Sequence, residues 1–314
     1  MSGSENHSEP TLGGKNGQGA KNVSAHVQSV ELLQHNFADA QPVTLAQQHI
    51  NHAQQSALSA SVLIESQQAG VPEHADAKVS AKSKKNGKPA VAELNALAML
   101  FNRGDLTESE RLATAITQCY PRHGFGWKVL GAIHQQQGLI DEAFPALKNA
   151  AELLPNDSEA HYNLGNCFYD QNQLEEAVAC YQKAVRIDSG FSKAHFNLGS
   201  VLQKQGCLEQ AEASYRKALR FDSNNAVIHF NLAQVLSEQR RYSEAVDCYQ
   251  QGLTIQPDLA AAHVNLGAAF KAMGRMHEAE SCCRKALDIN PDHVEAYNNL
   301  SVLFLEKGRI AEAE

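Results

Sequence analysis

The chain has 314 residues, 43% of them apolar and 20% charged, and a net charge of −8. A length of this kind corresponds to about two domains of roughly 150 residues each. A pI near 6.0 argues against the basic face of a dedicated nucleic-acid binder. No run of about 18 apolar residues predicts a membrane span.

The opening segment MSGSENHSEP has neither a basic start nor an apolar stretch, so no secretory signal is expected. Seven cysteines, an odd number without a CxxC pair, point to reduced thiols in a cytoplasmic protein.

Residues 1–89 contain one aromatic side chain, Phe37, and equal numbers of lysines and acids, seven each. So little bulky apolar surface cannot offset the entropy of ordering a backbone, and a disordered arm is expected. The run GGKNGQGAK at 13–21 lacks the Lys-Ser/Thr of a phosphate loop, because Ala20 follows Gly19. Residues 43–69, rich in Ala, Gln and Ser, suit a transient helix, and Lys78, Lys82, Lys84, Lys85 and Lys88 form a solvated basic linker. The net negative charge therefore belongs to the folded part, from residue 90 onward.

From there the chain repeats. WKVLG (127–131), HYNLG (161–165), HFNLG (195–199), HFNLA (229–233), HVNLG (263–267) and YNNLS (297–301) follow one another at intervals of 34. Counting each unit from Gly124, Ser158, Ser192, Ala226, Ala260 and Val294, position 7 is always Leu and position 20 always Ala. Position 8 is Gly131, Gly165, Gly199, Ala233, Gly267 and Ser301; position 27 is Ala150, Ala184, Ala218, Gly252 and Ala286.

The apolar spacing predicts two short helices per unit, one with a stripe at positions 4, 7, 8 and 11, the other at 20, 24 and 27. Small residues let the two axes approach, and Tyr181, Tyr215 and Tyr249 at position 24 fill the remaining gaps. Gly138, Asn172, Gly206 and Gly274, near position 15, suit the left-handed turn between the helices. A single pair cannot bury its stripe, so the units must stack into a solenoid.

This spacing resembles the tetratricopeptide repeat family over residues 124–314. The resemblance implies an all-α fold, a right-handed superhelical solenoid of antiparallel helix pairs. The expected organisation is an arm at 1–89, a divergent capping unit at 90–123 and full units at 124–157, 158–191, 192–225, 226–259 and 260–293, with an incomplete unit at 294–314. The first unit departs from the pattern at Leu97, Ser109 and Ile116, though Gly104 and Pro121 hold their places. Pro145 falls inside a second helix and is expected to kink or loosen it. The last unit stops early, so Leu300, Leu303 and Phe304 are expected to lack a covering helix, and the chain to be a piece of a longer protein.

No nucleophile elbow, HExxH or dinucleotide-binding glycine pattern occurs, so no enzyme, cofactor or metal site is expected within these residues. His161, His195, His229 and His263 recur at position 4, each in a different unit and too far apart to share a metal. They are expected to be packing rings, and Cys180, Cys248 and Cys282 at position 23 small apolar fillers.

Asn163, Asn197, Asn231, Asn265 and Asn299 occupy position 6, roughly opposite the apolar stripe. They are expected to form a ladder along the concave face, with Glu159, Asn166, Asp170, Lys193, Lys204, Gln234 and Glu238 as groove neighbours. An Asn amide both donates and accepts, so such rungs can bond a peptide backbone whatever its sequence. The ladder looks like that of the O-linked N-acetylglucosamine transferase (SPINDLY-like) repeats, in which inner asparagines hold acceptor polypeptides. The expected function is a protein-interaction scaffold that binds a polypeptide segment in the groove. The alternatives are the substrate-recruiting part of a longer glycosyltransferase, and self-association through the last helix.

Overall fold

A computed structural model describes residues 87–306 and 308. The expectations for the arm and for the end of the last unit fall outside these residues. Among the described residues there are thirteen α-helices. The first pair is α1 (Val91–Asn102) and α2 (Leu106–Cys119), followed by α3 (Gly124–Gln136) with α4 (Ile140–Leu153) and α5 (Ser158–Asp170) with α6 (Leu174–Ile187). Next come α7 (Ser192–Lys204) with α8 (Leu208–Phe221), α9 (Ala226–Glu238) with α10 (Tyr242–Ile255), and α11 (Ala260–Ala272) with α12 (Met276–Ile289). The array closes on α13 (Val294–Glu306).

Each helix packs against its partner and then against the first helix of the next unit, which builds a solenoid. Successive first helices also touch one another along most of the array, and successive second helices do so less. The first helices therefore line the inner side. No described helix is long and apolar enough to cross a membrane.

The close approach within each pair has a visible cause. A Cβ added to Gly165 would lie 2.8 Å from the Tyr181 ring, one on Gly199 2.8 Å from the Tyr215 ring, and one on Gly131 2.6 Å from the Leu147 side chain. Tyr181 and Tyr215 are fully buried, so the ring fills the space that glycine leaves. Exceptions to the pattern occur in matched pairs. Position 27 is Gly252 in the one unit where the Phe230 ring presses on that backbone, and Ile116 in the first unit faces Gly126 of the next.

The turns between paired helices pass through the left-handed region at Gly104, Gly138, Asn172, Gly206, Gly274 and also Arg240, whose φ is 62°. Arg240 was not expected there, since a long side chain normally avoids that conformation.

Two expectations are corrected. Helix α4 runs from Ile140 to Leu153 without interruption through Pro145, and is as long as the other second helices. Pro145 lies in the second turn, exposed, where the ring costs one hydrogen bond and projects outward. Leu300, Leu303 and Phe304 are not uncovered but 8%, 1% and 7% exposed. They join the same apolar cluster as Phe270, Ala279 and Cys283 of the preceding unit, so a first helix is sheltered by the pair before it.

Candidate inner-face site

The inner face is built from positions 2, 5, 6, 9, 12 and 13 of the first helices, and its polar side chains meet different fates. Asn197 is 4% exposed, and its Nδ2 donates to Asn166 Oδ1 at 2.9 Å and to Tyr162 Oη at 3.2 Å, both in the preceding unit. Tyr181 Oη donates to the same Asn166 oxygen at 2.8 Å. Tyr162 and Tyr181 are held un-ionised well above the ordinary phenol range, chiefly by burial. The four side chains form a closed buried network.

Asn231, 4% exposed, turns back on its own helix and donates to Val227 O at 3.1 Å. Asn299 is also buried and has a partner. Position 6 is thus not simply an open face, because the neighbouring unit's first helix covers much of it. Asn163 and Asn265 differ from these three: both are half-buried, and neither amide engages another group among the described residues.

The expected neighbours divide likewise. Asn166 and Gln234 are buried, the latter with a partner of its own. Asp170, exposed, accepts from Gln135 Nε2 at 3.2 Å. Glu238 accepts from Gln203 Nε2 at 2.8 Å, and burial raises its carboxyl above the ordinary range. Lys204 lies over the Tyr169 ring at 5.0 Å and reaches Asn172 Oδ1 at 3.3 Å. Glu159 pairs with Lys128 at 3.1 Å, and Asp157 with the same ammonium at 2.8 Å. Burial pulls the Lys128 pKa down, but the two carboxylates outweigh it and hold it above its ordinary value. Lys193 is half-buried, makes no ion pair among the described residues, and is lowered mainly by desolvation.

Lys193 opens onto a cleft of about 1150 Å³ at the N-terminal end of the inner face, walled by Val91, Leu94, Phe125, Leu154 and Phe191. Asn95 also lines it. This residue stands at position 6 of the first unit, half-buried and without a hydrogen bond. The divergence of the first unit hides it in the sequence, although it lies 68 residues, two periods, before Asn163.

The recurring histidines are packing rings with a second role. Nε2 of His161, His195, His229 and His263 donates to the carbonyl six residues earlier at 3.1, 3.0, 3.1 and 2.9 Å. Trp127 Nε1 makes the same bond to Pro121 O at 2.9 Å. In the five full units position 4 is thus a ring with an N–H donor, which both residue types supply. No group of three potential metal ligands occurs among the described residues. All described cysteines are free thiols, and burial raises Cys180, Cys248 and Cys282 to about 11, so they are unreactive fillers.

Stacked helix pairs with a continuous inner face define a helical-repeat interaction scaffold. Family profiles of the tetratricopeptide repeat match residues 146–179, 191–258 and 258–314, and a further TPR repeat profile matches 165–206. Together they cover more than half of the chain, which belongs to the tetratricopeptide repeat family.

Among solved structures, the chain is similar to YrrB, described as a TPR protein with an unusual peptide-binding site. The identity is 22% and the TM-score 0.55, over 59% of this chain and 96% of that one. PilF of Pseudomonas aeruginosa matches at 19% identity and TM-score 0.58, over 66% of this chain and 94% of that one. MamA matches at 23% and 0.51, over 54% and 92%. At these identities the likeness is one of fold. No curated protein matches the chain. The resemblance of the ladder to glycosyltransferase repeats finds no support in these matches.

Proposed function

We propose that this protein binds an extended polypeptide segment along the inner face, entering at the cleft beside α1. The observation that carries this reading is the contrast within position 6. Where a neighbour occupies the amide, the asparagine is structural; at Asn95 and Asn163 the amide is open, and the first of these lines a roomy apolar cleft. An open amide beside apolar walls offers backbone hydrogen bonding together with a seat for one bulky apolar side chain. Two units separate Asn95 from Asn163, on the order of 20 Å at the usual helix spacing, a span of about six extended residues.

A displayed peptide library selected on the full chain tests this. Enriched peptides are expected to carry one bulky apolar residue, and to lose about tenfold or more in affinity for the N95A/N163A chain while its melting is unchanged. Each net hydrogen bond is worth about 1 kcal/mol. No enrichment, or affinity untouched in that variant, would overturn the reading.

A further inference from the structure

From α3 onward, successive first helices are tied on the inner face at every joint but one. On the inner face the tie runs from position 12 of one first helix to position 13 of the next. Gln135 donates to Asp170 at 3.2 Å, the Tyr169 ring takes the Lys204 ammonium at 5.0 Å, Gln203 donates to Glu238 at 2.8 Å, and Lys271 pairs with Glu306 at 3.2 Å. Between α9 and α11 the same places hold Ser237 and Ala272. Ser237 Oγ donates back to Ala233 O of its own helix at 2.9 Å, and Ala272 has no side-chain donor or acceptor. Position 6 supplies no tie there either, since Asn265 bonds nothing among the described residues.

The outer face supplies ties at some joints only: position 21 is Phe144 or Val178 at the two joints before α8, where the inner tie acts alone. Between α8 and α10, Glu212 at position 21 pairs with Arg241 at position 16 of the next unit at 2.6 Å, and Arg216 with Glu244 at 3.3 Å. At the following joint position 21 is Val246, buried. Arg275, at position 16, instead pairs with Glu278 of α12 at 2.9 Å. The apolar packing of α10 on α11 is like that at neighbouring joints. What differs is the polar ties.

We infer that the joint between α10 and α11 is the flexure point of the array, where the curvature of the groove adjusts. Apolar surfaces slide and tilt with little directional preference, whereas a hydrogen bond fixes both distance and angle. Bending opens one face, and each net hydrogen bond that resists it changes the opening equilibrium roughly fivefold. A joint without ties on either face therefore bends first.

The test places paired spin labels at position 26 of three units: Lys217, Gln251 and Lys285, all exposed. A bioorthogonal amino acid carries each label, so the native thiols stay untouched. The Gln251–Lys285 pair spans the untied joint, and the Lys217–Gln251 pair the tied one before it. The distance distribution is expected to be at least twice as wide across the untied joint. Copying the neighbouring tie, with S237Q and A272E together, is expected to narrow it to the neighbour's width. The converse change, Q203A with E238A, is expected to widen the Lys217–Gln251 distribution, and keeps the test open should the first variant fold poorly. Equal widths in the two pairs, or widths that ignore both pairs of substitutions, would overturn the inference. No ligand is present, so the result stands apart from the peptide-binding reading.

Discussion

In units 158–191 and 192–225 a tyrosine ring lies directly over the glycine at position 8, and Asn197 closes a buried network with Asn166, Tyr162 and Tyr181. In unit 260–293 the ring is replaced by Cys283, whose sulfur would lie 3.3 Å from a Cβ on Gly267, and Asn265 bonds nothing. One repeat pattern thus serves two purposes. Where bulk and polar partners coincide the unit is locked, and where they are missing the same backbone is held by apolar contact alone.

Filling position 8 should separate the two regions most. Gly199→Ala drives a methyl to 2.8 Å from a fully buried Tyr215 ring that has nowhere to retreat. A loss of about 2 kcal/mol is expected, within the usual cost of overpacking. Gly267→Ala meets looser neighbours: a thiol that can rotate, the Cys282 Cβ at 3.3 Å and the Ala279 carbonyl at 3.2 Å. The helix-propensity gain of roughly 1 kcal/mol should leave that variant near neutral. Denaturant midpoints of the two variants decide it, and equal losses would break the contrast.

The next effect is at position 6. Asn197→Ala removes the donor to two buried oxygens and should cost about 1–3 kcal/mol. Asn265→Ala removes no bond and should stay within about 0.5 kcal/mol. Thermal melts at matched concentration distinguish them, and a costly Asn265→Ala would show that position 6 serves packing throughout the array.

A third comparison uses pH. Burial lowers the pKa of His161 and His195 below the ordinary 6.5, despite the opposing carbonyl bonds. Below 6.5 the unfolded chain binds protons more readily than the folded one. Their contribution is therefore complete above that value and is lost as the pH falls toward the folded-state pKa. Trp127 already makes the same carbonyl bond with a ring that does not titrate. The H161W/H195W chain, if it folds, should show a flatter fall of melting temperature between about pH 6.5 and 5.5 than the native chain. Parallel profiles would deny the histidines a part in acid sensitivity.

The smallest expected change is a gain. Arg240 holds a φ of 62° where other units place glycine or asparagine. Arg240→Gly should stabilise the turn by about 1 kcal/mol, since a side chain in the left-handed region costs roughly 1–2 kcal/mol. A rise in the midpoint confirms the strain; a fall would mean that the arginine side chain contributes more than its backbone costs.

Much of the helix-pair architecture was legible because size and apolarity recur every 34 residues, and a stripe at helical spacing has one way to be buried. Leu at position 7, the described alanines at position 20 and the tyrosines at position 24 all lie in the core as read. Pro145, the sheltered Leu303 and the left-handed Arg240 were misread or missed, because each depends on what surrounds the residue: solvent beside the helix, the preceding pair, and a turn that its neighbours impose.

By itself the sequence determined the period, the two helices per unit and their apolar stripes, since these follow from spacing along one helix. Only the tertiary structure decided what each inner-face asparagine does. Residues at one and the same position are structural at Asn197 and Asn231 but open at Asn95, Asn163 and Asn265, depending on the groups within reach. For Asn197 those partners lie 31 and 35 residues away, in the unit stacked beneath it. The physical reason is that burial of apolar surface is non-directional and tolerates any suitable neighbour, whereas a hydrogen bond needs a particular donor and acceptor brought to about 3 Å by the stacking itself.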